Sequence, residues 1–213
     1  MPERKLHYSL SFRSPVGIFT GLGVAGLVDR IVVRDSKGIP YVPGSSVKGR
    51  LRFFVERTLR SGGAPTGLRL HDSGRPLCKE AASACTACRL FGNGAIPGLV
   101  RVSPARLGKD WQELLSRLLA ADPNPAVHPD VEIRPGIAVS RQRRTVLPDY
   151  LFFDEAVPAT AAFSGSLQLD GTVTELEERF LVGVGALVDA LGARKAAGRG
   201  ALAGGVRIGD VLP

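Results

Sequence analysis

Long apolar runs are missing from this chain, and no segment approaches the roughly 18 uninterrupted apolar residues that a membrane-spanning helix needs. The N-terminal stretch MPERKLHYSL carries charge with no apolar run behind it, so no signal peptide is expected. A cytoplasmic protein without a membrane partner is the resulting expectation. Cysteine is scarce: three residues, all between positions 78 and 88, exclude a disulfide framework and suggest metal ligation in a reducing compartment. Motifs of common catalysts are also missing, with no G-x-S-x-G, H-E-x-x-H or G-x-x-x-x-G-K-[ST] anywhere, and the histidines at 7, 71 and 128 are scattered. Acidic residues are outnumbered 28 to 20 by lysine and arginine, giving a net charge of +8 over 213 residues. That imbalance, with a pI near 9.9, favours polyanionic partners such as nucleic acid or an anionic surface.

What is present is a patterned α+β chain, long enough for one substantial domain. LHYSLSFR at 6–13 alternates as a strand with Leu6, Tyr8, Leu10 and Phe12 on one face. A glycine-rich stretch, GIFTGLGVAGLVDR, and a short IVV run then form an extended loop or hairpin ahead of the turn SKGIPYVPG. From Ser46 the period becomes helical, with Val47, Leu51, Phe54, Val55 and Leu59 on one stripe, Ser45 or Ser46 as the expected N-cap and Gly62 as the stop. Residues 61–98 have little periodicity and need another organiser. VRVSPARL at 100–107 predicts a strand. The stretch from Ala121 to Tyr150, with five prolines and four arginines, predicts a projecting loop or hairpin. FSGSLQLDG at 163–171 predicts a strand ending in an Asp-Gly turn. Thr174 and Glu177 form a capping box for a helix with the stripe Leu176, Phe180, Val184, Leu187, Val188 and Leu191, stopping at Gly192. ALAGGVRIG is the closing strand. Without the insertions this is βαββαβ, the ferredoxin-like plan that RNA-recognition domains share with many others.

Five local constellations carry chemistry. His71, Cys78, Cys85 and Cys88 lie within the segment that lacks a hydrophobic rationale; three thiolates and an imidazole make a closed, structural zinc site. Three small buried cysteines and a surface histidine are the plainer alternative. The start of the first helix offers Gly44, Ser45 and Ser46 with the charges of Lys48, Arg50 and Arg52, a setting for a phosphate; it equally describes a capped helix with a solvated basic face. Lys195 and Arg199 in GARKAAGRGALAGG, and Arg141, Arg143 and Arg144 in SRQRRT, are further groups suited to a nucleic-acid backbone or to solvent. Asp29, between two basic elements, could hold a divalent cation against a phosphodiester, or serve as an ordinary loop carboxylate.

Taken together, IPYVPGSSVKGRLR, CTACRLFG followed by VRVSPARL, FFDEAVPATAAFSGSLQL and GARKAAGRGALAGGVRI, in that order, resemble the RAMP superfamily, specifically the backbone subunits of CRISPR type III antiviral effector complexes. The resemblance implies a single RAMP domain over 1–213: an RNA-recognition-type palm, a zinc-binding insertion at about 61–98 and a projecting thumb hairpin at about 129–151. It implies guide RNA (crRNA) as a ligand, held through its phosphates by groups such as Lys48. Target RNA, copies of the chain or homologous backbone subunits, and other effector subunits are implied as partners. Members that cleave target RNA carry an aspartate where this chain has Asp29, in VDRIVVRD, with a second at Asp35. Asp29 is therefore expected to position Mg2+ or another divalent cation and the attacking ribose hydroxyl. Here the loop reads GLGVAG where many relatives have histidine-isoleucine-glycine-glycine. Two alternatives accompany this expectation: a non-catalytic guide-binding scaffold, and a metal-independent guide-processing endoribonuclease using His7 or His128.

Overall fold

A computed structural model of the chain describes residues 3–24, 26–71, 78–122, 125 and 127–210. The first strand, β1 (Arg4–Phe12), turns Leu6, Tyr8, Leu10 and Phe12 into the core, as its alternation requires. Residues 17–24 and 26–34 follow as an irregular hairpin tied by Val33 N to Ile18 O (2.8 Å) and Thr20 N to Ile31 O (3.1 Å). Asp35 closes the next turn, its carboxylate accepting from the amides of Lys37 (2.9 Å) and Ile39 (3.1 Å). The short β2 (Tyr41–Val42) leads into α1 (Gly44–Arg60).

Helix α1 buries Val47, Leu51, Phe54 and Val55, while Leu59 is only half-buried. Its N-cap is Pro43 and not a serine: neither Ser45 nor Ser46 makes a side-chain cap, because the helix begins one residue before them. Pro43 reaches the helix with its φ already suitable and no amide to satisfy. Gly62, at φ +75, ends the helix.

The segment read as one strand at 100–107 is two, β3 (Val100–Val102) and β4 (Ala105–Leu107), separated at Ser103-Pro104. Proline has no ladder donor, and the break lets the Ser103 carbonyl turn inward to accept the Tyr8 hydroxyl at 2.6 Å. A helix outside the βαββαβ pattern, α3 (Lys109–Ala121), follows and buries only Leu115 completely. Then β5 (Glu132–Ser140) and β6 (Thr145–Ala156) pair as a separate two-stranded hairpin. β6 continues beyond Leu151 because its last residues, Asp154 to Ala156, enter the buried interior.

The remaining core elements are β7 (Phe163–Leu169), α4 (Glu175–Leu187) and β8 (Leu202–Gly209). The main sheet runs β2-β4-β7-β1-β8, with β3 also on β7, and every strand pairing is antiparallel. Counting β3 and β4 as one strand, this is the ferredoxin-like order. Gly165 faces Tyr8 in the register, and a β-carbon there would lie 2.6 Å from the Tyr8 ring, so the glycine in FSGSLQL makes room for the tyrosine. The capping box of α4 is present, with Thr174 Oγ1 accepting from Glu177 N at 3.2 Å. The helix stops at Leu187, short of Gly192; Val188 and Leu191 are buried from non-helical backbone, whereas Leu176 and Leu187 are exposed. Among the described residues no helix is long and apolar enough to cross a membrane.

Candidate metal centre and nucleic-acid interface

The short helix α2 (Thr86–Phe91) organises the cysteine segment. Cys85 caps it, its sulfur accepting from Cys88 N at 3.4 Å, while Cys78 Sγ accepts from Cys85 N at 3.4 Å. These two amide-to-sulfur bonds curl the chain so that three thiols face one point. His71 Nδ1 lies 3.2 Å from Cys85 Sγ and 3.8 Å from Cys88 Sγ, and all four ligand atoms fall within 4.8 Å of one another. A tetrahedral zinc ion with bonds of about 2.0–2.3 Å would set edges of roughly 3.5–3.8 Å, so the 3.2 Å contact would open slightly and any wider separation, at most 4.8 Å, would close. The residues therefore fit one thiophilic metal ion with every position filled by protein. The Cys85 thiol is pushed up from its ordinary range by burial, while the Cys85 amide holds the Cys78 thiol down. Asn93 supports the knuckle by donating to Cys78 O at 2.9 Å, and Arg89 ties it to α4 through Glu177 at 2.9 Å. Residues 72–77 of the expected insertion lie outside the described residues.

Asp29 is exposed in an open pocket of about 510 Å³ walled by Val24, Leu27, Leu151 and Phe153. Its carboxylate accepts the Phe153 amide at 2.7 Å, and its own amide donates to Phe153 O at 2.8 Å. The aspartate is thus fastened to the hairpin base. The Cys/His cluster is the only group of three or more ligating side chains among the described residues, so a cation at Asp29 would need ligands from RNA or another subunit. Asp35 is a turn former, further paired with Arg106 at 2.9 Å.

The basic residues divide into free and engaged groups. Lys48 is half-buried and makes no hydrogen bond or ion pair among the described residues; burial first, and Arg52 second, lower its pKa. Ser45 is exposed beside it and Ser46 half-buried. Gly44 serves a close approach within the chain, since a β-carbon there would lie 2.2 Å from Val102 O. Arg50 is spent on Asp189 (2.7 Å) and Ala190 O (2.8 Å), and Arg52 on Glu56 (2.8 Å) and Gly92 O (2.7 Å). At the hairpin tip Arg141, Arg143 and Arg144 are exposed and have no ion pair among the described residues. Exposed Lys195 donates to Gly192 O at 2.7 Å, while Arg199 meets the buried Asp154 at 3.3 Å.

Sequence patterns did not single out Arg30, Arg194 or Asp154. Arg194 contacts Asp154 at 2.7 Å and Arg30 contacts it at 3.9 Å, which joins the Asp29 loop, the hairpin base and the glycine-rich C-terminal loop. The available signal was an acid standing at a buried position in FFDEAV. Of the two histidines considered for acid–base work, His7 sits in β1 opposite Ser166 and Gly209, and His128 binds Asp130 at 2.7 Å before β5.

An antiparallel ferredoxin-like sheet with a Cys/His knuckle and a basic hairpin defines an RNA-recognition-type architecture. The chain belongs to the RAMP superfamily, whose profile matches residues 9–203. It is similar in fold to a chain from the type III-B Cmr-beta complex bound to cognate target RNA, with a TM-score of 0.61 and 12% identity over 98% of this chain and 97% of that one. No curated protein matches the sequence significantly.

Proposed function

We propose that this chain is a guide-RNA-binding backbone subunit of a CRISPR type III effector complex, and that it cleaves target RNA through Asp29. The observation that carries the reading is the attachment of an exposed carboxylate, Asp29, to the base of a hairpin whose tip presents three exposed arginines. Membership of the RAMP superfamily and likeness to a subunit of an RNA-bound Cmr complex support it. In this reading 1–213 is one RAMP domain and residues 61–98 its zinc-bearing insertion. The hairpin is the thumb. Lys48, Ser45 and Ser46, with the free amides at the start of α1, take guide phosphates. Lys195 and the tip arginines extend the track, and copies of the chain or homologous subunits continue it along the guide. Asp29 would hold Mg2+ or another divalent cation and position with it the ribose hydroxyl of a displaced target nucleotide, the cation supplying charge stabilisation there.

A second reading, an RNA-binding scaffold without cleavage, draws on the single carboxylate in that pocket. Binding itself is tested with guide RNAs of unrelated sequence. Lys48→Ala combined with Lys195→Ala should weaken all of them by a similar factor and flatten the salt dependence by about one to two units of slope. A loss confined to one sequence would contradict backbone recognition.

A further inference from the structure

We infer that Asp154 is a positioning residue that sets Arg30, Arg194 and Arg199 as a preformed cationic cradle for one phosphodiester group, an inference resting on the RNA-binding reading above. Asp154 is fully buried, and three guanidiniums surround it: Arg194 Nε at 2.7 Å and Arg199 Nη1 at 3.3 Å on Oδ2, and Arg30 Nε at 3.9 Å from Oδ1. One well-placed guanidinium neutralises a buried carboxylate. The other two repel it and each other unless an anion completes the group. Glu155 does not supply that anion, because it points to the opposite side of β6 and is spent on Arg34 (2.8 Å) and Val32 N (2.8 Å). Oδ1 of Asp154 has no hydrogen-bond donor among the described residues.

Three guanidiniums carry roughly 15 N–H donors, of which Asp154 takes one from Arg194 and one from Arg199. The unspent donors can reach solvent, since the side chains of Arg30, Arg194 and Arg199 are 48%, 26% and 16% exposed. Arg194 is held in place at some conformational cost. Its backbone is left-handed (φ 56), a region non-glycine residues seldom occupy, and its guanidinium lies 3.9 Å over the Phe152 ring. The cradle also adjoins Asp29, because the amides of Asp29 (2.8 Å) and Arg30 (3.4 Å) share the Phe153 carbonyl. A phosphate there would sit beside the exposed carboxylate.

The test uses the full chain and labelled single-stranded RNA of guide length, alone and annealed to target. Asp154→Asn removes a negative charge, so charge counting alone predicts tighter binding. Positioning predicts the opposite: about tenfold weaker binding, the size of one charge-assisted hydrogen bond. Arg194→Lys keeps the charge and should weaken binding similarly, while Lys109→Arg, at an exposed position outside the RNA track, should leave it unchanged. Weakening seen with guide alone assigns the cradle to a guide phosphate, and weakening only with target assigns it to the target strand. Undiminished affinity in Asp154→Asn overturns the inference; if that variant does not fold, undiminished affinity in Arg194→Lys does so. If the wild type binds no RNA, the RNA reading falls by itself and sulfate decides the cradle. Greater thermal stabilisation by sulfate than by chloride of equal ionic strength, in the wild type but not in Arg194→Lys, supports it, and an equal response overturns it.

Discussion

Replacing Asp29 by asparagine separates cleavage from architecture more cleanly than truncation does. The carboxylate makes one structural bond, accepting the Phe153 amide at 2.7 Å at an exposed position. Asparagine retains an oxygen acceptor of the same reach, so the loop should stay on the hairpin base. The stability change should remain below about 1 kcal/mol, a shift in melting temperature of at most about 2–4 °C for a chain of this size. What asparagine loses is the negative charge that would bind a divalent cation. Removing a stabiliser of transition-state charge typically costs about 3–4 kcal/mol, or roughly 10²–10³ in rate. The assay is single-turnover cleavage of end-labelled target by the guide-loaded assembly across a magnesium titration, with target affinity measured in parallel. Affinity should be nearly unchanged while the rate falls. Asp35→Asn is the control: that carboxylate holds the 35–39 turn and Arg106, so stability should fall and cleavage by the folded fraction should not. A rate for Asp29→Asn within a factor of about three of wild type is less than 1 kcal/mol of barrier, and would refute the catalytic role.

Protein purified without added metal should contain about one zinc per chain. Cys88→Ser should lose that metal and become protease-sensitive between residues 61 and 98, whereas metal below about a tenth of an equivalent in folded, reduced wild type would exclude the site. Lys48 supplies a pH-dependent prediction. Burial and Arg52 lower the pKa of its ammonium in the free protein, and a phosphate beside it would raise that pKa again, so RNA binding at alkaline pH should be accompanied by proton uptake. Calorimetry in buffers of differing ionisation enthalpy measures this, and the uptake should vanish in Lys48→Ala; proton release on binding, or uptake that persists without Lys48, would contradict the contact.

Periodicity alone carried the framework. The alternation of β1, the stripe of α1 and the Thr174–Glu177 capping box are local patterns that one dominant face, or one side chain reaching three residues, suffices to specify. The metal cluster was equally legible, because its ligands lie close in sequence and the intervening chain has little else to hold it. Where patterns misled, a local break and the distant contact it permits explain the outcome. The 100–107 strand breaks where Ser103 turns to Tyr8, 95 residues away. Helix α3 has a weak burial signal because only Leu115 is completely enclosed.

Charge was least legible of all, since a lysine or arginine reads the same whether it faces solvent or a carboxylate across the fold. Arg50 and Arg52 were drawn into internal bonds while Lys48, one turn before Arg52 in the helix, was left without one among the described residues. Asp154 acquires meaning only when the fold brings residues 30, 194 and 199 around it. The sequence by itself determined the framework strands and helices and where four ligand-type side chains gather, because both follow from short-range spacing. Tertiary structure alone decided which charges remain available to a ligand, because Coulombic pairing depends on distance in space and not along the chain.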